Sequence, residues 1–144
     1  MSKARSRARR MAMQGLYEWQ VAGNDPLDVY NIYQKEHDLK KVDKDYFKEL
    51  VLSVPAKQQE LDAALEPHLS RPIKETDPVE LAILRLACYE FLFRADVPYR
   101  VVINESIELA KTFGAEAGHK FINGILDKVA VDLRPKEVKS KRSN

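Results

Sequence analysis

Between Val79 and Phe93 the chain is apolar nearly all round, broken only by Glu80, Arg85 and Glu90, and this segment limits the possible folds more than any other. It is shorter than the roughly 20 residues that cross a bilayer. Ahead of it, Asp77-Pro78-Val79-Glu80 is a helix start signal, with Asp as the N-cap, Pro at the first helical position and Glu placed to close a capping box. A helix that is apolar on every side must be surrounded, so the segment predicts a central post with other helices packed about it.

The flanking sequence supplies those helices. Ala8, Ala12, Leu16 and Trp19 recur at helical spacing, and Asn24-Asp25-Pro26-Leu27-Asp28 reads as a stop and restart leading into a short helix to about Lys35. Tyr46, Phe47, Leu50, Val51 and Val54, then Leu61, Ala64, Leu65 and Leu69, continue the pattern, with Pro55 predicting a kink or two consecutive helices. Pro98 opens a helix with Val102, Ile103, Ile107, Ala110 and Phe113 inward, which Gly114 is expected to end in the left-handed conformation. Gly118 to Val131 forms the last helix, through Phe121, Ile122, Ile125, Leu126 and Val129. Five Gly and seven Pro in 144 residues are few for a β domain. The expectation is all-α: six to seven helices in two small packed bundles, about 1–70 and 76–131, within one domain over 1–131, followed by a disordered basic tail over 132–144.

A net charge of +2 hides an asymmetry. Residues 1–10 carry Lys3, Arg5, Arg7, Arg9 and Arg10 without an acid, residues 132–144 carry a net +3, and the fourteen basic and twenty acidic side chains between them leave the body at −6. Clustered cations on an acidic body suggest a localised polyanion contact. The head runs into an amphipathic helix, so Arg5 and Arg9, one turn apart, are expected to form a stripe with Arg10 and Tyr17.

Motifs for catalysis are missing: there is no P-loop, no dinucleotide-binding glycine fingerprint, no HExxH pair and no Cys or His cluster at ligand spacing. The chain reads as a binding protein rather than an enzyme, with no cofactor or metal. Cys88, the lone cysteine, reads as an inert core residue, Arg85 as the partner of a carboxylate elsewhere in the body, and the absence of an apolar leader points to the cytoplasm. Two segments could carry function. The arginine-rich head suits RNA, which such segments hold by phosphate forks and stacking, although solvated basic ends are common. The Gly-bounded turn from Phe113 to Phe121, with Gly118, His119 and Lys120 at a helix start, suits a phosphate or base edge, but on the residues alone it reads more readily as an ordinary interhelical turn with Phe121 in the core.

Ala82-Ile83-Leu84-Arg85-Leu86-Ala87-Cys88-Tyr89-Glu90, Val97-Pro98, Val102 to Gly114 (VINESIELAKTFG), His119 to Asp127 (HKFINGILD) and Gln14 to Gln20 (QGLYEWQ) together resemble the NusB family of bacterial transcription antitermination factors. The likeness covers all but the basic tail. It implies an all-helical RNA-binding protein that joins NusE, a small-subunit ribosomal protein, to recognise the boxA element of nascent ribosomal RNA in the RNA polymerase antitermination complex. On matching positions, it implies that Lys3, Arg5, Arg7, Arg9 and Arg10 hold the RNA backbone. Tyr17 and Phe121 would offer stacking faces, Gly118, His119 and Lys120 would complete the strip, and Glu80 would face NusE. Where the family often has an acid and then Ser, this chain has Ala117 and Gly118, which leaves the helix start intact but puts its RNA contacts in question. Two alternatives stay open on the residues: the RNA-binding portion of an rRNA methyltransferase, and a protein-only helical scaffold with incidental basic ends.

Overall fold

The computed structural model describes residues 2–114 and 117–143, and side chains to residue 140. Among them are eight α-helices, two short 3-10 turns and no strand. The chain divides into two compact units, residues 1–58 and 59–144, so the boundary falls earlier than the expected break near residue 70. Leu61 and Leu65, in the helix after Pro55, belong to the second unit and are buried.

In the first unit α1 (Lys3–Ala22), α2 (Pro26–Glu36) and α3 (Lys44–Ala56) pack on one another. Each start has its own chemistry. Ser2 caps α1 through Arg5 N–H, Asp25 caps α2 with Pro26 at the first position, and Asp43 caps α3 through Tyr46 N–H. Gly23 ends α1 at φ 72°, a left-handed conformation that glycine adopts without strain. Gly15 sits where α1 crosses its neighbours: a β-carbon there would lie 3.0 Å from Val29 Cγ1 and 3.6 Å from Val51 Cγ2. Its small size sets the closeness of the helices.

α4 (Gln58–Leu65) begins at the boundary, and in the second unit two 3-10 turns (Glu66–His68 and Ile73–Glu75) lead from it to α5 (Pro78–Phe93). Every residue of α5 from Leu81 to Phe91 is buried, as its all-round apolar sequence predicts, with α6 (Tyr99–Phe113) and α7 (Gly118–Leu133) against it. Arg85 is buried with them and makes a two-pronged ion pair to Asp62, at 2.8 and 2.9 Å. Cys88 is fully buried, and burial pushes its thiol pKa well up, so it is unreactive. Gly114 does not take the expected left-handed form: it is extended, at φ −102° and ψ 178°. Space explains the glycine instead, since a β-carbon would come within 2.9 Å of Ala110 O.

The expected disordered tail is also corrected. Residues 132 and 133 finish α7, and Pro135–Ser143 forms α8, packed on α7 with Val138 buried. Arg134, at the junction, donates to the carbonyls of Phe91 (2.8 Å), Glu90 (3.1 Å) and Arg94 (3.0 Å) at the end of α5, and to Glu137 at 2.7 Å. Glu137 in turn accepts from Tyr99 N–H at 2.7 Å and so caps α6. One arginine and one glutamate thereby satisfy a helix C-terminus and a helix N-terminus that would otherwise leave orphan backbone groups. His68, the last residue of the first 3-10 turn, pairs with Asp132 at 2.7 Å.

Candidate nucleic-acid interface

In the first unit, α1 sorts its basic residues by face. Successive helical residues turn by roughly 100°, so Lys3, Arg7, Arg10, Gln14 and Tyr17, at spacings of four, three, four and three, line one stripe. Lys3, Arg10, Gln14 and Tyr17 are exposed, and Arg7 is half-buried, donating to Lys41 O at 3.3 Å. Arg5 and Arg9 lie on the other side, in register with Ala8, Ala12 and Leu16. Arg9 is only 2% exposed, its guanidinium 5.4 Å from the centre of the Tyr46 ring. Arg5 sits over the same ring at 4.4 Å with Asp43 Oδ2 at 3.8 Å. The expected stripe of Arg5, Arg9 and Arg10 is corrected at Arg9, which is buried and cannot present charge outward; Arg5, half-buried like Arg7, is turned to the Tyr46 side, and the set on the opposite face is Lys3, Arg7 and Arg10. Gln14, between Arg10 and Tyr17, is the residue the sequence reading missed, although its spacing places it there.

In the second unit, α7 starts at Gly118 behind Ala117, which makes no side-chain cap. Lys120 is exposed and Phe121 is 37% exposed, so Phe121 is not a core residue. His119 is half-buried, with its Nδ1 buried and unpaired. Residues 115 and 116 of the turn lie outside the described residues. Phe121 borders a groove of about 460 Å³ shared with Arg71, Glu75, Asp77 and Glu80.

Glu80 stands at the start of α5, where Asp77 Oδ1 accepts from its N–H at 3.1 Å. The reciprocal half of the predicted capping box is not seen among the described residues; the Glu80 carboxylate turns towards Gly118, where a β-carbon would meet its Oε1 at 2.9 Å. Burial, and then the neighbouring Asp77 charge, raise the Glu80 pKa above the usual carboxylate value. A cation brought against this groove would offset the Asp77 repulsion and favour the charged carboxylate. Among the described residues no group of His, Cys, Asp and Glu could hold a metal, and no helix is long and apolar enough to cross a membrane.

An exposed basic helix face tipped by a tyrosine, on an all-helical scaffold, defines the class: a helical protein with a surface suited to a single-stranded polyanion. The NusB family pattern matches residues 6–131. The transcription antitermination protein NusB of Nitrosococcus oceani is 54% identical over 141 residues, covering 98% of this chain and 95% of its own, and that of Pseudomonas entomophila is 51% identical, covering 98% and 85%. Among solved structures, NusB of T. maritima superposes with a TM-score of 0.80 at 30% identity, covering 97% of this chain and 99% of that one. A crystal structure of the antitermination factors NusB and NusE in complex with double-stranded RNA superposes at 0.78 with 31% identity, covering 90% and 97%. The chain belongs to the NusB family.

Proposed function

We propose that this chain is an RNA-binding transcription antitermination factor of the cytoplasm, which with NusE recognises the boxA element of nascent ribosomal RNA and supports processive transcription by RNA polymerase. The observation that carries this reading is the outward stripe of Lys3, Arg7, Arg10, Gln14 and Tyr17, a rigid basic face in a chain whose near-full-length relatives are antitermination proteins. The relative solved with NusE and RNA supports the choice of partners.

In this reading Lys3, Arg7 and Arg10 hold phosphates, as does Lys120 in the second unit. Tyr17 and Phe121 stack bases, and the Gly118–His119 turn approaches the strand. Arg5 and Arg9 serve the fold. Glu80 receives a basic group of NusE, drawn by a body carrying −6. The protein does no chemistry of its own; it holds two partners in one complex.

A titration with a short labelled boxA RNA, with and without NusE, tests the proposal. Four phosphate contacts on a single strand predict that log affinity falls against log salt with a slope of about −3. Failure of either partner to bind contradicts the antitermination reading and returns the methyltransferase fragment and the protein-only scaffold. The relatives named above, all antitermination proteins, favour the free-standing factor.

A further inference from the structure

Tyr46 lies on α3, outside any segment that the RNA reading uses, yet it is buried beneath two arginines of the basic head. We propose that Tyr46, with Asp43, is a positioning residue for RNA binding: it fastens the inward arginines Arg5 and Arg9 so that α1 is ordered, and its outward cations aligned, before RNA arrives. The proposal rests on the RNA-binding function argued above.

Three observations converge. The Tyr46 ring is 3% exposed and faces the Arg5 guanidinium at 4.4 Å and that of Arg9 at 5.4 Å, within reach of cation–π attraction for both. Asp43 ties the same turn three ways: Oδ1 accepts from Tyr46 N–H at 3.1 Å, Oδ2 lies 3.8 Å from Arg5 Nε, and its own N–H donates to Ala4 O at 3.0 Å. Arg7 adds a bond to Lys41 O in the segment just before α3. The first two turns of α1, which hold five cations and no acid, are thus pinned along one side to the start of α3. Left to itself, such a segment repels its own charges and frays. Ordering it beforehand removes an entropic cost from binding and fixes the spacing of the outward cations. The arginines that look most like an RNA clamp in sequence are the fasteners of the clamp.

The test compares Tyr46→Phe, Tyr46→Leu, Arg5→Gln and Arg10→Gln in the full chain, measuring boxA RNA affinity over a range of salt alongside thermal melting. Tyr46→Phe keeps the ring that both guanidiniums face and should bind RNA more tightly than Tyr46→Leu. Tyr46→Leu, which keeps apolar bulk but loses the π face, should bind about fivefold more weakly or worse, with faster amide exchange at residues 4–9. Arg5→Gln should weaken binding without changing the salt slope, and should have little further effect in the Tyr46→Leu background. Arg10→Gln, a direct phosphate contact, should make the slope shallower by about 0.7. Equal affinity of the Leu and Phe variants, or a slope in Arg5→Gln altered as in Arg10→Gln, overturns the proposal. Should Tyr46→Leu fail to fold, the slope of Arg5→Gln decides alone. A parent protein that binds no RNA refutes the RNA-binding function itself, an outcome distinct from both.

Discussion

At the scale of single residues, the same side-chain type serves opposite ends depending on which face of a helix it occupies. Arg9 and Arg10 are neighbours in sequence, yet one is buried and the other exposed. Phe121 shows the contrast for an aromatic residue. Its exposure predicts that Phe121→Ala barely lowers the melting temperature, whereas a core Phe→Ala loses about 3 to 5 kcal/mol. RNA binding by that variant should weaken by about 1 to 3 kcal/mol if the ring stacks a base. The buried ion pair gives the reverse pattern: Asp62→Ala removes the two-pronged carboxylate partner of the buried Arg85 guanidinium, so urea unfolding should show a loss of about 3 to 5 kcal/mol. Glu80 carries a pH prediction. Because its pKa is raised in the folded chain, by burial and then by Asp77, the native state holds its proton more tightly than the unfolded chain does. Its contribution to stability is present below the ordinary carboxylate range and is lost as pH rises through the raised value. Glu80→Gln should therefore unfold no more easily at neutral pH, with a flatter stability profile just above the carboxylate range, and should bind NusE less well. A loss of stability at neutral pH in that variant would contradict the assignment.

At the scale of helices, most starts were legible because capping chemistry is local. Asp25-Pro26 and Asp77-Pro78 cap where their sequences say they should. The tail was not legible, for a physical reason. In Arg134 to Arg142 the one apolar anchor is Val138, and what holds α8 is a pair of side chains, Arg134 and Glu137, whose partners lie some forty residues away. No periodicity reports a non-local cap. Arg134→Ala should cost about 2 to 4 kcal/mol, since charge-assisted bonds to three carbonyls are lost, and should speed amide exchange at the end of α5 and the start of α6. Removing residues 139–144 should leave both unchanged. Equal destabilisation by the two changes would mean that the whole of α8, rather than its first turn, supports the unit. The outward stripe on α1 was half legible. The spacing of Lys3, Arg7, Arg10, Gln14 and Tyr17 was in the sequence, but a run of five cations reports charge and not face, and only the packing against Tyr46 shows that Arg9 is buried and Arg5 is turned to the same ring.

At the scale of the whole molecule, function follows from the separation of charge along the chain: a head of +5 ordered on its own unit, and a body of −6 with a raised carboxylate in a groove. Such a molecule is suited to hold an anionic strand and a basic protein together. The fold class and family were readable because helical periodicity and long motif runs are dense in this chain, whereas the site residues depend on burial that sequence spacing only bounds. Joint recognition of boxA predicts that RNA and NusE bind this protein cooperatively, and calorimetry of each binary pair and of the ternary complex tests it most directly. Coupling is reciprocal, so NusE should raise boxA RNA affinity by the same factor by which RNA raises NusE affinity, about 5- to 150-fold. An RNA affinity unchanged at saturating NusE would contradict the account.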